Sequence, residues 1–402
     1  MTGWRERLAA WWGPNRAMGV NLVGYARGGL GLGETLRQFA DALQAEGLPH
    51  AVVDVNLHLG DRGRDLRLEP RIGTHNPHPV NLMFIAGAEM PAVRAHLGER
   101  FFAGKHTVGY WFWELDTYPA EWRSTFESVD EVWTATAFVQ GALQRAAPDG
   151  RVVQRVPHPV AWVAEGECSA PGWRAAQGWG PELTVMLFSF DFHSYLARKH
   201  PEAVLEAFRL AFPRGDEPVR LVLKSMNGAQ APAALAALQG LAGSDPRVEW
   251  RDGFWPHAES RRLMAACDVY VSLHRSEGFG QGLAEAMAMG KAVVATGYSG
   301  NLDFMDEEVA ALVPYRPVPV QAGEYPCSAG LHWAQADVQA AAQWLRRLVD
   351  EPTTRLSLGA AARKRIRHTH APGATAQAVA AQLQRLRGLR GLGGGSGFGP
   401  RR

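Results

Sequence analysis

Two glutamates eight positions apart, Glu277 and Glu285, bracket a glycine-spaced turn in the stretch HRSEGFGQGLAEAMAMG, residues 274 to 290. The apolar run VYVSLH precedes this turn and the helical pattern GLAEAMAMG follows it. The glycines therefore fall at a helix N-terminus, at the carboxyl end of a strand. Free backbone N–H groups at such a terminus attract a phosphate. Gly278, Gly280 and Gly282 let the backbone approach a ligand without Cβ crowding, and Leu283 belongs to the same donor-binding bend. Glu277 in the loop and Glu285 one turn into the helix can each accept hydrogen bonds from hydroxyls. A ligand with phosphates in its middle and polyols at both ends fits. That is a nucleotide-sugar, with a hexose near one glutamate and a ribose near the other.

A departing diphosphate also needs cations. Lys199, Lys224 and Lys291 are three of only five lysines, and Lys199, opening a helical pattern in RKHPEAVLEAF, is the best placed. The stretch GYSGNLDFM sets Ser299 and Asn301 after another strand, where the loop either approaches the donor or caps the next helix. Nearer the N-terminus, GYWFWELDTYP puts Trp111, Trp113 and Glu114 at the end of an apolar run. Aromatic faces suit sugar rings and a carboxylate suits an attacking hydroxyl.

Two common phosphate motifs fail on spacing. In GGLGLGE the dinucleotide pattern lacks its last glycine, and Lys291 has no glycine at the P-loop distance before it. What remains at residues 28 to 34 is a glycine loop, with Gly29 and Gly31, between a first strand and a first helix. There is no DxD pair, no HExxH and no cluster of ligand spacing, so no divalent metal and no cofactor is expected.

These residues need a frame. Apolar runs bounded by turn residues alternate with helical patterns from AMGVNLVGYA through NLMFIAG and HTVGYWFWE, and again from TVMLFSF through AVVATGY. Such alternation builds parallel sheets covered by helices. The fold class is α/β, with two Rossmann-like domains facing across a cleft, since open α/β sheets bind ligands beyond the carboxyl ends of their strands. Residues 1 to 165 are read as an N-terminal acceptor-binding domain, 166 to 182 as a Gly- and Pro-rich linker, and 183 to 388 as a C-terminal nucleotide-sugar-binding domain. The last helices of that domain are candidates to return to the first, and 389 to 402 is read as a flexible tail.

Composition narrows the partners. Forty-two basic against forty acidic residues give a formal net charge of +2, too little for a nucleic-acid surface without clustering. Cys168, Cys267 and Cys327 are widely spaced, which suits a reducing compartment and points to the cytoplasm. No run reaches the roughly 18 apolar residues of a spanning helix. Trp4, Leu8, Trp11 and Trp12 would share one face of a helix over residues 1 to 14, beside Arg5 and Arg7, as in a peripheral membrane contact or an arm packed on its own domain.

EGFGQGLAEAMAMGKAVVAT closely resembles the E-x7-E segment of the retaining, family 4 type glycosyltransferases of GT-B fold. The resemblance extends to NLVGYARGGLGLGE, GYWFWELDTYP, DEVWTAT, RKHPEAVLEAF and DVQAAAQWLRRLVDEPTTRLSLGAAARKRI. It implies that Glu277 contacts the hydroxyls of the transferred sugar, that Phe279 and Gly280 offer backbone N–H groups, and that Glu285 holds the ribose. It also implies retention of anomeric configuration and a glycan, lipid-linked or small-molecule acceptor, in polysaccharide or glycoconjugate synthesis. One departure stands out. The family's Gly-Arg-Leu run is replaced here by FSFDFHSYLARKHP, leaving Arg198, Lys224 or a backbone dipole to take the arginine's place. Two rival readings remain from the sequence: a sugar-nucleotide epimerase, and a catalytically silent nucleotide-sugar-binding subunit of a polysaccharide assembly complex.

Overall fold

A computed structural model of the chain describes residues 18–55, 57, 64–161, 163–167 and 169–392. The Trp-bearing segment 1–14, Cys168 and most of the glycine-rich tail lie outside the described residues. Within them two parallel sheets face each other.

The first sheet is built from β1 (Val20–Gly24), β2 (His50–Asp54), β3 (Ile72–Gly73), β4 (Val80–Phe84), β5 (His106–Tyr110), β6 (Glu131–Thr134) and β7 (Val152–Arg155). Its order is β3-β2-β1-β4-β5-β6-β7, every pair parallel, so the direction of winding reverses between β1 and β4. Central strands β1 and β4 are buried on both faces, as expected for continuous apolar runs under helices. Helix α1 (Gly31–Ala45) covers one face. Leu36, Phe39, Ala40 and Leu43 recur at helical spacing and are all fully buried. Helix α2 (Ala137–Ala146) covers the other end, its N-terminus capped by Thr136 Oγ1.

The second sheet holds β8 (Thr184–Asp191), β9 (Val219–Met226), β10 (Val248–Asp252), β11 (Val269–Ser272), β12 (Ala292–Thr296) and β13 (Ala311–Val313), in the order β10-β9-β8-β11-β12-β13. Winding reverses between β8 and β11. Helices α3 (Pro201–Ala211), α4 (Gln281–Ala288), α5 (Val338–Asp350) and α6 (Pro352–Thr369) pack around it. Both reversal points open onto the same space, the place where such sheets take ligands. No described helix is long and apolar enough to cross a membrane.

Two features go beyond the alternating pattern. An antiparallel hairpin, β14 (Tyr315–Pro319) and β15 (His332–Ala336), interrupts the second half and sends its connecting loop toward the first. Helix α7 (Pro372–Leu392) then leaves the second half and lies along α1, burying Ala376, Val379, Leu383 and Leu386. Arg385 fixes it with two 2.6 Å bonds to the carboxylate of Glu131, whose side chain is 3% exposed.

The chain thus crosses between the halves twice, and the crossings touch. Val160 N–H donates to His370 O at 2.8 Å, and Thr375 Oγ1 to Pro157 O at 2.9 Å. The Gly- and Pro-rich segment 166–182 does not hang between the sheets. Arg174 in its short helix Pro171–Ala176 bonds Ala266 O and Asp268, each at 2.9 Å, and Trp179 is buried. Glycine and proline content signals irregular backbone, which a docked arm has as much as a linker does.

Candidate active site

A cavity of about 730 Å³ separates the two sheets, walled by the loops that follow β1, β4 and β5 on one side and β8, β9 and β11 on the other. Gly29 and Gly31 line it, in the loop before α1. That loop is held from behind by Arg37, which is 3% exposed, donates 3.0 Å bonds to Ala26 O and Gly28 O, and pairs with Glu34 and Asp65.

Glu277 occupies the opposite wall, in the loop between β11 and α4. Lys199 Nζ donates to its Oε1 at 2.5 Å and Arg198 Nη1 to its Oε2 at 3.0 Å. Burial alone would raise this carboxyl, but the two cations hold it down to about 2. Its backbone is pinned as well. Glu277 N–H donates to Ser299 Oγ at 2.8 Å, and Gly300 N–H donates to Glu277 O at 2.9 Å. Asn301, fully buried, meets His274 Nε2 at 3.1 Å and donates to Thr296 O. Ser299 and Asn301 therefore do not reach the cavity. They anchor the loop that does, which corrects their assignment as donor contacts.

Arg198 and Lys199 ride on the short helical turn Leu196–Lys199. Tyr195 and His200, on either side of it, adopt positive φ angles of 59° and 54°, unusual for residues with a Cβ. Bonds from Arg275 N–H to Arg198 O and from Arg198 Nη1 to Ser276 O, 2.8 and 2.9 Å, tie that turn to the Glu277 loop. Burial lowers the Lys199 ammonium, with Glu277 opposing. Lys224, also at the cavity wall, donates to Ser225 O and Gly253 O and sits 5.0 Å from the Trp255 ring centroid; burial brings it down to about 8. Lys291 turns away to Ala265 O.

Gly280 precedes α4 with φ +91°, a conformation open to glycine. The first intrahelical bond runs from Ala284 N–H to Gly280 O, so the amides before it have no carbonyl within the helix. Gly278, Phe279, Gly282 and Leu283 line the cavity beside it. Gly282 has a packing reason of its own, because a Cβ there would lie 2.3 Å from Tyr270 Oη. Glu285 faces the cavity from α4. Its Oε1 accepts from Gln281 Nε2 at 3.0 Å and, across the cleft, from Gln38 Nε2 at 3.1 Å. Burial first and Glu34 second raise its carboxyl to about 7.

On the first sheet's side, Glu114 and Trp113 reach the cavity and Trp111 does not. Trp111 is 1% exposed, with its ring against Phe126 and Tyr118. Phe112 lines the cleft beside Trp113 and Glu114, where Trp111 was expected. Glu114 accepts a bond from Tyr325 Oη and lies 3.9 Å from Arg198 Nη2.

Among the cavity residues missed in the sequence are His158 and Tyr325. His158, in VPHPV at the first crossing, is buried and neutral, its ring stacked on Phe279 at 4.6 Å and its Nε2 meeting Thr35 Oγ1 at 3.1 Å. Burial takes its imidazole down to about 3. A histidine between two prolines could have signalled a fixed crossing. Tyr325 stands in GEYPCSAG, which carries no signal beyond that of a loop.

Residues 185–323 match the family profile described as "Glycosyl transferases group 1". Among curated proteins, none matches. Solved structures share the fold across nearly the whole chain. Sucrose-phosphate synthase from Thermosynechococcus elongatus aligns with TM-score 0.67 at 17% identity, covering 92% of this chain and all of its own. HepE from Anabaena, solved with UDP and glucose, aligns with TM-score 0.63 at 15% identity over 92% of this chain and 100% of its own. A glycosyltransferase from Rickettsia africae aligns with TM-score 0.66 at 13% identity over 92% and 99%. Two Rossmann-like domains facing across a cleft, the GT-B fold, is the shared architecture.

Proposed function

We propose that the protein transfers a hexosyl group from a nucleoside diphosphate sugar to an acceptor hydroxyl, with retention of anomeric configuration. The observation that carries this reading is the convergence of Arg198, Lys199 and the N-terminus of α4 around Glu277, at the reversal point of the second sheet. The profile match over residues 185–323 supports it.

In this reading the diphosphate lies against Arg198, Lys199 and the α4 amides, which stabilise the charge that grows as the C1–O bond breaks. Glu285 holds the ribose and Glu277 the hydroxyls of the transferred sugar. The acceptor oxygen bonds to C1, the nucleoside diphosphate leaves, and the acceptor proton passes to its departing phosphate oxygen. No protein nucleophile takes part. Cations for the leaving group come from side chains, so catalysis needs no metal. HepE binds UDP and UDP-glucose on this fold, which makes uridine the first base to try.

A silent binding subunit was favoured by the missing family arginine; Arg198 beside Lys199 at the Glu277 loop supports transfer instead. The enzyme is proposed to work in the cytoplasm, with a membrane surface as one place to meet lipid-linked acceptors.

A thermal-shift panel of nucleotide-sugars identifies the donor, because a ligand of the folded state raises its melting temperature by mass action. Release of nucleoside diphosphate that depends on an added acceptor then separates transfer from epimerisation. Donor binding with no acceptor-dependent release, across every acceptor class, would sink the proposal.

A further inference from the structure

The end of the cavity away from Glu285 is walled by rings. Trp113 and Trp122 meet edge to face at 5.3 Å, and Tyr118 packs on both at 5.5 and 6.1 Å. Tyr325, carried by the hairpin loop, closes on Trp113 at 5.2 Å and on Tyr195 at 4.8 Å. All five line the cavity. Trp113, Tyr118 and Tyr325 form the buried wall, while Trp122 and the 45% exposed Tyr195 offer ring faces to a ligand.

Two carboxylates stand among these rings. Glu114 accepts from Tyr325 Oη, and Glu89 from Tyr25 Oη at 2.9 Å. Each keeps acceptor capacity for a ligand hydroxyl. The cations nearest to them, Arg198 and Lys199, are paired with Glu277 and, in the proposed complex, are taken by the donor diphosphate. Arg37, Lys224 and Arg261, the other lysine and arginine side chains at the wall, belong to the opposite end with Glu34, Trp255 and Glu285.

Aromatic faces pack on the C–H faces of a pyranose, and carboxylates accept from its hydroxyls. A phosphate or carboxylate on the ligand would meet two like charges and no uncommitted cation. Resting on the glycosyl-transfer reading, we infer that this end is the acceptor subsite and that it takes an uncharged sugar ring, excluding phosphorylated and acidic sugars. Trp122 supplies the stacking face and Tyr325 aims Glu114. The hydroxyl held there becomes the glycosidic oxygen, its proton leaving with the nucleoside diphosphate.

The test uses the full chain saturated with whichever of UDP, GDP, ADP and dTDP raises its melting temperature most. Tryptophan fluorescence is titrated with glucose, galactose, mannose, maltose, lactose and cellobiose, and with the 6-phosphates of the three hexoses. At least one neutral sugar should give a saturable change and no phosphate should. Trp122→Ala should raise the Kd of that sugar about tenfold or more while nucleoside diphosphate affinity stays unchanged. Tyr195→Ala, at an exposed ring, provides the same readout if Trp122→Ala folds poorly. Tighter binding of a hexose phosphate, no binding by any neutral sugar up to its solubility limit, or unchanged sugar affinity in the folded variants would each overturn the inference. If no nucleoside diphosphate or nucleotide-sugar binds at all, the glycosyl-transfer reading fails first, a result that the two stages keep apart.

Discussion

Gln38 on α1 donates its amide to the Glu285 carboxylate on α4 at 3.1 Å, so a side chain of the first half completes a binding group of the second. In the proposed complex a ribose hydroxyl would take the place of this contact.

Glu285 makes donor affinity pH-dependent. Its carboxyl is raised to about 7, and a hydroxyl donates more strongly to the ionised form, so affinity should strengthen as the pH rises through 7. Between pH 6 and 8 the nucleoside diphosphate Kd should fall about tenfold, and Glu285→Gln should weaken binding and flatten that slope, as read by titration calorimetry. The unliganded fold moves the other way. Its carboxyl holds a proton more tightly than the unfolded chain with its ordinary 4.5, so this group's contribution is full below 4.5 and is lost as the pH climbs to 7.

Glu277→Gln should lower kcat by about ten- to a thousand-fold, as expected for one charge-assisted contact to the reacting sugar. Nucleoside diphosphate should bind as well as before or tighter, because Arg198 and Lys199 are released from the carboxylate that holds them. The same change leaves the buried Arg198 without its nearest carboxylate and should cost about 3 kcal/mol of stability. Steady-state kinetics, calorimetry and thermal melts read the three effects separately. Weaker nucleoside diphosphate binding with normal turnover would reverse the assignment.

Gly282→Ala brings a methyl group to 2.3 Å from Tyr270 Oη and should destabilise the protein by about 1 to 3 kcal/mol. Adding Tyr270→Phe removes the blocking atom and should recover part of that loss in thermal denaturation. A double variant no more stable than Gly282→Ala alone would show that the glycine is required for a different reason.

The two sheets were legible because continuous apolar runs alternating with α1-like helical patterns have few other solutions. The Glu277 loop was legible because glycines, acids and strand end follow one another locally in HRSEGFGQGLAEAMAMG. What escaped was set by contacts remote in sequence. Tyr325 reaches Glu114 across 211 positions, and no local pattern in GEYPCSAG encodes that. Trp111 was misplaced because composition names the aromatics, and only the fold says that its ring packs on Phe126 and Tyr118 and not in the cleft. Ser299 and Asn301 were found but given the wrong partner, for a polar residue after a strand serves a loop as readily as a ligand.

Excess chelator should leave activity intact if, as proposed, Arg198, Lys199 and the α4 amides supply the positive charge for the leaving group. Turnover lost in EDTA and restored by magnesium or manganese would overturn this.

Arg385→Ala removes the one arginine, among the described residues, bonded to the buried Glu131 carboxylate, which then keeps the 2.8 Å bond from Trp133 Nε1 and His106 at 3.8 Å. Stability should drop by about 1 to 3 kcal/mol. In urea the midpoint should fall with an unchanged m-value.

Helix α7 has a consequence for the order in which the molecule can be made. It lies on α1 with Ala376, Val379, Leu383 and Leu386 buried, so the apolar surface beneath it has no cover until residues 372 to 392 have been synthesised. During translation the first half must wait, sticky face exposed, through the making of the whole second half, the stage at which aggregation and chaperone capture compete with folding. A fragment ending near residue 165 would stay in that state permanently, whereas the second sheet carries its own helical cover in α3, α5 and α6. The half that leaves the ribosome first is the half that is finished last.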